Sequence, residues 1–273
     1  MHSIIPLTAP AIHRRHTQKG IGPLLRILVF PPPVEEGAIP FWVYRMRKKE
    51  SPVADPVKDA EERSGSEFER KKTAALWQED IPFCTTGQFA RLDEGYRRHC
   101  GPTAVTNLIL TLNHRYGYMD EPVPADIFRT VSQIGQKMLI YWNTDVLGRF
   151  GGTYDPLTEP YLRASLHHYK IPVRLQWHLF PSETQFIREL DQGKLLYLQL
   201  FRHPCYGTHH LLCYGYTTVH CEKRMNSDSK RRMNSDGNNR EIYLLLADGW
   251  SRRPRYLRLK GRGICHFFAV SRK

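Results

Sequence analysis

A cysteine stands directly before a segment whose residue pattern is that of a helix. Gly101 and Pro102 follow Cys100, and proline suits the first turn of a helix because the amide hydrogen it lacks has no partner there. Apolar residues then recur at the spacing of one helical face, at Val105, Leu108, Ile109 and Leu112. Gly117 is predicted to end this helix. Cys100 would therefore stand at a helix N-terminus, where the dipole and free N–H groups favour a thiolate. The plain alternative is a cysteine packed there as a small apolar side chain.

Two later segments supply the partners that a cysteine nucleophile needs. The run Gly207 to Tyr216 predicts a strand with histidine near its start, and Ile242 to Trp250 predicts a buried strand that ends in Asp248. A thiol, an imidazole and a carboxylate are the nucleophile, base and orienting group of a thiol enzyme. The sequence thus contains the three groups, on a helix and on two successive strands.

The three segments together resemble a known family. The runs CGPTAVTNL, GTHHLLCYGY and LLADGW, in this order, are similar to the motifs of papain-like cysteine peptidases of the bacteriocin-processing (double-glycine peptidase) type and related bacterial proteins. The resemblance covers about residues 80–270. It implies a papain-like fold, proteolysis of a peptide or protein substrate, Cys100 as nucleophile, His209 as general base and Asp248 as the orienting residue.

The choice between His209 and His210 is not settled by strand geometry. Neighbouring side chains on a strand face opposite sides, so only one of the two rings can face the cysteine. Both faces of this strand carry apolar residues, and parity leaves the choice open. The spacing to Gly215-Tyr216 in the resembling families favours His209.

The side chain that completes the oxyanion hole is the point at which the chain departs from the family. Papain-like enzymes place a glutamine about six residues before the cysteine, but Glu94 occupies that position here. An ionised carboxylate has no hydrogen to donate to an oxyanion. Gln88, twelve residues upstream, is the nearest candidate helper.

The remaining pattern predicts an α+β fold in which the nucleophile helix packs on a mainly antiparallel sheet. Strands are expected at residues 171–175, 195–201, 208–217, 241–247, 255–259 and 264–270, with a helix after Ser182. Residues 218–240 contain a short polar duplication and are expected to extend a hairpin. The domain is expected to span 76–273, and the charged, proline-rich residues 1–75 to be poorly ordered or accessory, with a pro-segment as the alternative.

Charge and cysteine content restrict the partners and the compartment. The formal net charge is +13, but the basic residues are scattered and no nucleic-acid motif accompanies them, so no specific nucleic-acid partner is expected. The six cysteines lack the spacing of a metal site or disulfide framework, which favours reduced thiols and a cytoplasmic location. The short apolar run 24–30 leaves secretion through an atypical signal open, and no transmembrane segment is expected.

The sequence therefore predicts a cysteine peptidase that cleaves a peptide or amide bond through Cys100, His209 and Asp248, with no cofactor and no metal. Two other functions use the same groups or the same fold. A transglutaminase-type or arylamine acetyltransferase-type enzyme would transfer the acyl group to an amine instead of water. A catalytically inactive binding module would keep the fold without the chemistry, an alternative that Glu94 favours.

Overall fold

A computed structural model of the chain describes residues 53–64, 68–75, 83–92, 98–142, 152–153, 155–221, 240–259 and 264–273. Its helices are α1 (Pro56–Ser64), α2 (Thr86–Phe89), α3 (Cys100–Tyr116), α4 (Pro124–Lys137), α5 (Thr158–His168) and α6 (Glu183–Asp191). Its strands are β1 (Phe68–Ala75), β2 (Tyr141–Trp142), β3 (Gly152–Thr153), β4 (Val173–Leu179), β5 (Leu195–His203), β6 (Gly207–Cys221), β7 (Arg240–Ala247), β8 (Arg255–Arg258) and β9 (Ile264–Arg272). Within these ranges, no helix is long and apolar enough to cross a membrane.

Seven of the described strands form one antiparallel sheet, so the predicted α+β class is confirmed. Six of them follow the order β4-β9-β5-β6-β7-β8. The long strand β6 pairs with β5 through its first half, and β1 pairs with its second half, while β7 lies along its other edge. The C-terminal strand β9 inserts between β4 and β5. Strand β6, which carries His209 and His210, is therefore paired on both edges and held in the middle of the sheet.

The sheet separates two apolar cores, because side chains along each strand alternate between its faces. On one face the buried side of α3 packs with α4 and α5 against strand residues such as Tyr197, Leu212 and Tyr214. On the other face α6 contributes Phe186 and Leu190 to a core with Leu198 and Leu211. The arrangement is a three-layer α/β/α stack that leaves the N-terminus of α3 at one end of the sheet.

Helix α3 begins and ends where its sequence predicts. Its first residue is Cys100, and Gly117 closes it in the left-handed conformation (φ 66°) with its N–H bonded to the Asn113 carbonyl at 2.7 Å. Glycine adopts this conformation without the Cβ clash of other residues. The helix after Ser182 also starts as predicted, because the Ser182 and Gln185 side chains form a reciprocal capping box.

Part of the N-terminal region belongs to the sheet domain. Residues 53–75, which the sequence places in the accessory region, form α1 and β1, and β1 pairs with β6 in register from Phe68 opposite Cys221. Tyr243 of β7 donates a hydrogen bond to Asp59 of α1 at 2.7 Å. The remaining predictions for residues 1–52 lie outside the described residues, as does the hairpin tip between Cys221 and Arg240.

Candidate active site

The thiol of Cys100 lies where the first turn of α3 meets the start of β6. The side chain of His209 and the backbone of Gly101 and His210 lie close enough to its sulfur to act on the pKa of the thiol. Burial alone raises the pKa of this thiol. The hydrogen bond to His209 and the positive charge of that ring, together with the two amides, outweigh burial and lower the pKa of Cys100 below its ordinary value. The site therefore favours the thiolate.

Two thiols that are fully buried, Cys84 and Cys213, show what burial does without such partners. Burial raises the pKa of Cys84 to about 11, although the charge of Arg252 lowers it in part. The pKa of Cys213 is raised to about 12 by burial, and its thiol donates to the Gly215 carbonyl at 3.3 Å. Cys100 thus departs from ordinary buried cysteines in this chain, and the difference comes from its neighbours.

The imidazole of His209 is fixed through the nitrogen that faces away from the thiol. Nε2 lies 2.7 Å from the backbone carbonyl oxygen of Asp248, and since a carbonyl only accepts, Nε2 carries the hydrogen and donates it. Nδ1 is then left to receive the thiol proton. Burial lowers the pKa of His209, but the contact with Cys100 and the oxygens of Asp248 raise it more, so the net direction is upward.

His209, not His210, is the residue whose ring reaches Cys100. The ring of His210 packs at 5.7 Å from the ring of Tyr197 and is 2% exposed. The backbone of His210, rather than its ring, is what lowers the pKa of Cys100. The rings of His209 and His210 therefore have different neighbours.

Among the hydrogen bonds of the described residues, none joins the carboxylate of Asp248 to His209, and the orienting role of this side chain stays a prediction. Oδ1 accepts the backbone N–H groups of Trp250 and Ser251, each at 2.9 Å, and Oδ2 accepts the hydroxyl hydrogen of Tyr206 at 3.1 Å. Its backbone carbonyl instead holds His209. The residue is 98% buried, and its carboxylate holds the turn after β7. It acts on the imidazole through its backbone carbonyl and through its negative charge, both of which raise the pKa of His209.

A segment before the nucleophile helix joins the two sides of the site. The Asn107 amide on α3 forms two hydrogen bonds with the backbone of Cys84, at 2.9 and 3.0 Å. The backbone N–H of Thr86 then donates to the Gly249 carbonyl at 2.7 Å, next to Asp248. His99 Nε2 donates to the Thr86 carbonyl at 2.9 Å. The segment 83–86 therefore ties the start of α3 to the turn that contains Asp248.

Gln88 lies on the short helix α2 of the same segment, and its described hydrogen bonds involve its backbone N–H, which donates to the side chain and carbonyl of Thr85. Among the described residues, the side chain of Gln88 forms no hydrogen bond with Cys100 or His209. Glu94 lies outside the described residues. The oxyanion role of Gln88 stays a prediction.

Thr153 of β3 packs directly against the glycine that follows the nucleophile. A Cβ at Gly101 would overlap the Thr153 hydroxyl oxygen and would lie 2.7 Å from the Thr153 Cβ and 2.8 Å from its methyl carbon. Such separations do not occur between real carbon atoms, so residue 101 must lack a side chain for β3 to reach the helix. This close approach explains the glycine in structural terms.

Replacing Gly101 with alanine is expected to lower the free energy of unfolding by about 1–3 kcal/mol, because the new methyl group forces β3 or the first turn of α3 to move. Denaturant unfolding measures the change. Gly87→Ala is the matched control, since a Cβ there meets only the Thr85 hydroxyl oxygen at 4.0 Å. Equal stability of the two variants would show that β3 does not press on Gly101.

The sequence interpretation missed the aromatic surroundings of His209. Tyr206 and Trp250 have ring centroids 5.3 and 4.9 Å from the imidazole. Tyr206 lies in the tight connection just before the histidine strand, next to Gly207, whose φ is 64°. This position beside a turn glycine is the one local signal that could have indicated a role for Tyr206.

Within the part of the chain that the structure describes, no group of three or more histidine, cysteine or carboxylate side chains is arranged to hold a metal ion. Comparison with protein-family models, with curated proteins and with solved structures gives no match to this chain.

Proposed function

We propose that this protein is a thiol-dependent hydrolase with a papain-like fold that cleaves a peptide or amide bond. One arrangement carries the proposal: His209 lies beside the thiol of Cys100 and lowers its pKa, and Nε2 of the same ring is fixed by the Asp248 carbonyl at 2.7 Å. The lowered pKa of the thiol and the raised pKa of the imidazole both favour a thiolate–imidazolium pair.

In the proposed reaction, His209 takes the proton of Cys100 and the sulfur attacks the carbonyl carbon of the substrate. A carbon–sulfur bond forms, and the carbonyl electron pair moves onto oxygen, where N–H groups at the start of α3 can stabilise it. The intermediate expels the amine, which takes the proton from the imidazolium. His209 then deprotonates water, which attacks the thioester and restores the thiol.

Acylation by an activated ester tests the proposal without knowledge of the natural substrate. With p-nitrophenyl acetate we expect a burst of nitrophenolate, one acetyl group on Cys100 by peptide mass spectrometry, and slow release by water. Cys100→Ala should abolish the burst. The half-exposed thiols Cys205 and Cys265 are internal controls. Acetylation of Cys100 that is no faster than theirs contradicts the proposal, and release that requires an added amine favours the acyltransferase alternative.

A further inference from the structure

We propose that Tyr206 is a positioning residue for His209: its ring, stacked on the imidazole and anchored through its hydroxyl, holds the base against the thiol and favours its protonated form. This role rests on the thiol chemistry proposed above. Tyr206 has no assigned part in the triad, and it acts through His209 without contacting Cys100 in the described hydrogen bonds.

The stack itself is the first observation. The rings of Tyr206 and His209 are parallel within 4°, with centroids 5.3 Å apart, which is the offset geometry that aromatic pairs prefer. Tyr206 is 5% exposed, so water does not compete for this face of the imidazole. The electron-rich face of a phenol ring attracts a cation, and it therefore stabilises imidazolium more than imidazole.

The second observation is that the Tyr206 ring is held at both ends. Its hydroxyl donates to Asp248 Oδ2 at 3.1 Å, and the same aspartate supplies the carbonyl that binds His209. At the backbone end, His203 Nδ1 accepts the N–H groups of Cys205 and Tyr206, at 3.2 and 3.3 Å. Trp250, 51% exposed, covers both rings from outside at 4.8 Å from Tyr206.

The other ionisable groups around His209 do not oppose this role. Cys100 faces it from α3, and Asp248 from the turn after β7. His203 faces it from the end of β5, and Tyr206 from the connection between β5 and β6. Burial and the charge of His209 lower the pKa of His203 to about 4, so at neutral pH His203 adds no positive charge beside the imidazolium. Burial and Asp248 raise the pKa of the Tyr206 hydroxyl, which stays protonated and donates.

The test is the pH profile of iodoacetamide alkylation at Cys100, followed by peptide mass spectrometry. We expect Tyr206→Leu to slow alkylation about tenfold near pH 6.5 and to move the rise of the profile to higher pH, because the imidazolium loses its stacking partner. Tyr206→Phe keeps the ring and should stay within about threefold of the wild-type rate. Phe201→Leu removes an exposed ring from the end of β5 and should change nothing.

A pH profile of Tyr206→Leu that matches the wild type overturns the proposal. Alkylation of Tyr206→Phe as slow as that of Tyr206→Leu also overturns it, because the aromatic ring would then not be what favours the protonated imidazole. Tyr206→Met is the second aliphatic variant if leucine prevents folding. In the NMR spectrum of the Trp250→Leu variant, the resonances of the His209 ring protons should still be shifted upfield by the ring of Tyr206. Resonances of these protons that are not shifted upfield also overturn the proposal. A wild-type profile that rises only near the ordinary thiol pKa instead contradicts the proposed function.

Discussion

Replacing His209 with alanine is expected to slow the alkylation of Cys100 by about 100-fold near pH 6.5. Without the imidazole, the thiol loses the partner whose hydrogen bond and charge lower its pKa, and burial again raises that pKa. A thiol with the ordinary pKa of about 8.5 is about 1% ionised two pH units below it. The wild-type rate should rise with pH through the lowered thiol pKa and then level off. The variant should rise only at higher pH.

His210→Ala is the matched control for this experiment, because it removes the neighbouring ring and keeps the backbone N–H that points to the sulfur. Its profile should keep the wild-type rise. Cys84 and Cys213 are buried thiols of raised pKa and should remain unlabelled in the folded protein. If the two histidine variants lose reactivity equally, His209 is not the specific partner of Cys100.

Local signals in the sequence determine much of the fold, and those parts could be predicted. The start of α3 at Cys100, its end at Gly117 and the cap at Ser182 depend on neighbours within one or two turns. The strands after residue 170 follow from alternation and apolar runs, and the structure places them within a few residues of the predicted bounds. A mainly antiparallel sheet also follows from the run of successive strands in this part of the chain.

The pairing of distant segments could not be predicted in the same way. Strand β1 has the sequence FERKKTAA, whose charge gives no apolar face, and it is a strand because β6 extends beyond β5 and offers a free edge. The insertion of β9 between β4 and β5 joins the end of the chain to its middle. Such pairings depend on the whole sheet, which no window of sequence contains.

In the candidate site too, the features with local signals in the sequence could be predicted and those that depend on distant segments could not. The positions of Cys100 and His209 follow from a helix start and a strand start, and family spacing favoured the first of the two histidines. The sequence could not predict that the backbone carbonyl of Asp248, rather than its carboxylate, accepts the hydrogen bond from His209, because every residue has a backbone carbonyl. The stack of Tyr206 on His209 depends on the connection between β5 and β6, which follows a register shift at the end of β5 between Leu200 and His203.

The arrangement of Asp248 leads to the prediction that asparagine can replace it while alanine cannot. The Asp248→Asn side chain can still accept the N–H groups of Trp250 and Ser251, and its amide can donate to the Tyr206 oxygen. The backbone carbonyl that holds His209 is unchanged. Only the negative charge, which helps raise the pKa of His209, is lost. We expect alkylation of Cys100 within about threefold of the wild-type rate.

Asp248→Ala leaves a buried tyrosine hydroxyl and two turn amides without their acceptor, at about 1–3 kcal/mol for each buried group. The turn that presents the carbonyl to His209 should then lose its shape, and alkylation near neutral pH should fall by at least about tenfold, with a clear loss in the free energy of unfolding. If the negative charge of Asp248 is instead what supports the imidazolium, both variants should lose most of the alkylation near neutral pH, and asparagine should do so although the fold survives. Alkylation profiles and denaturant unfolding of the two variants distinguish these cases. A stable but unreactive asparagine variant would restore the carboxylate to the orienting role.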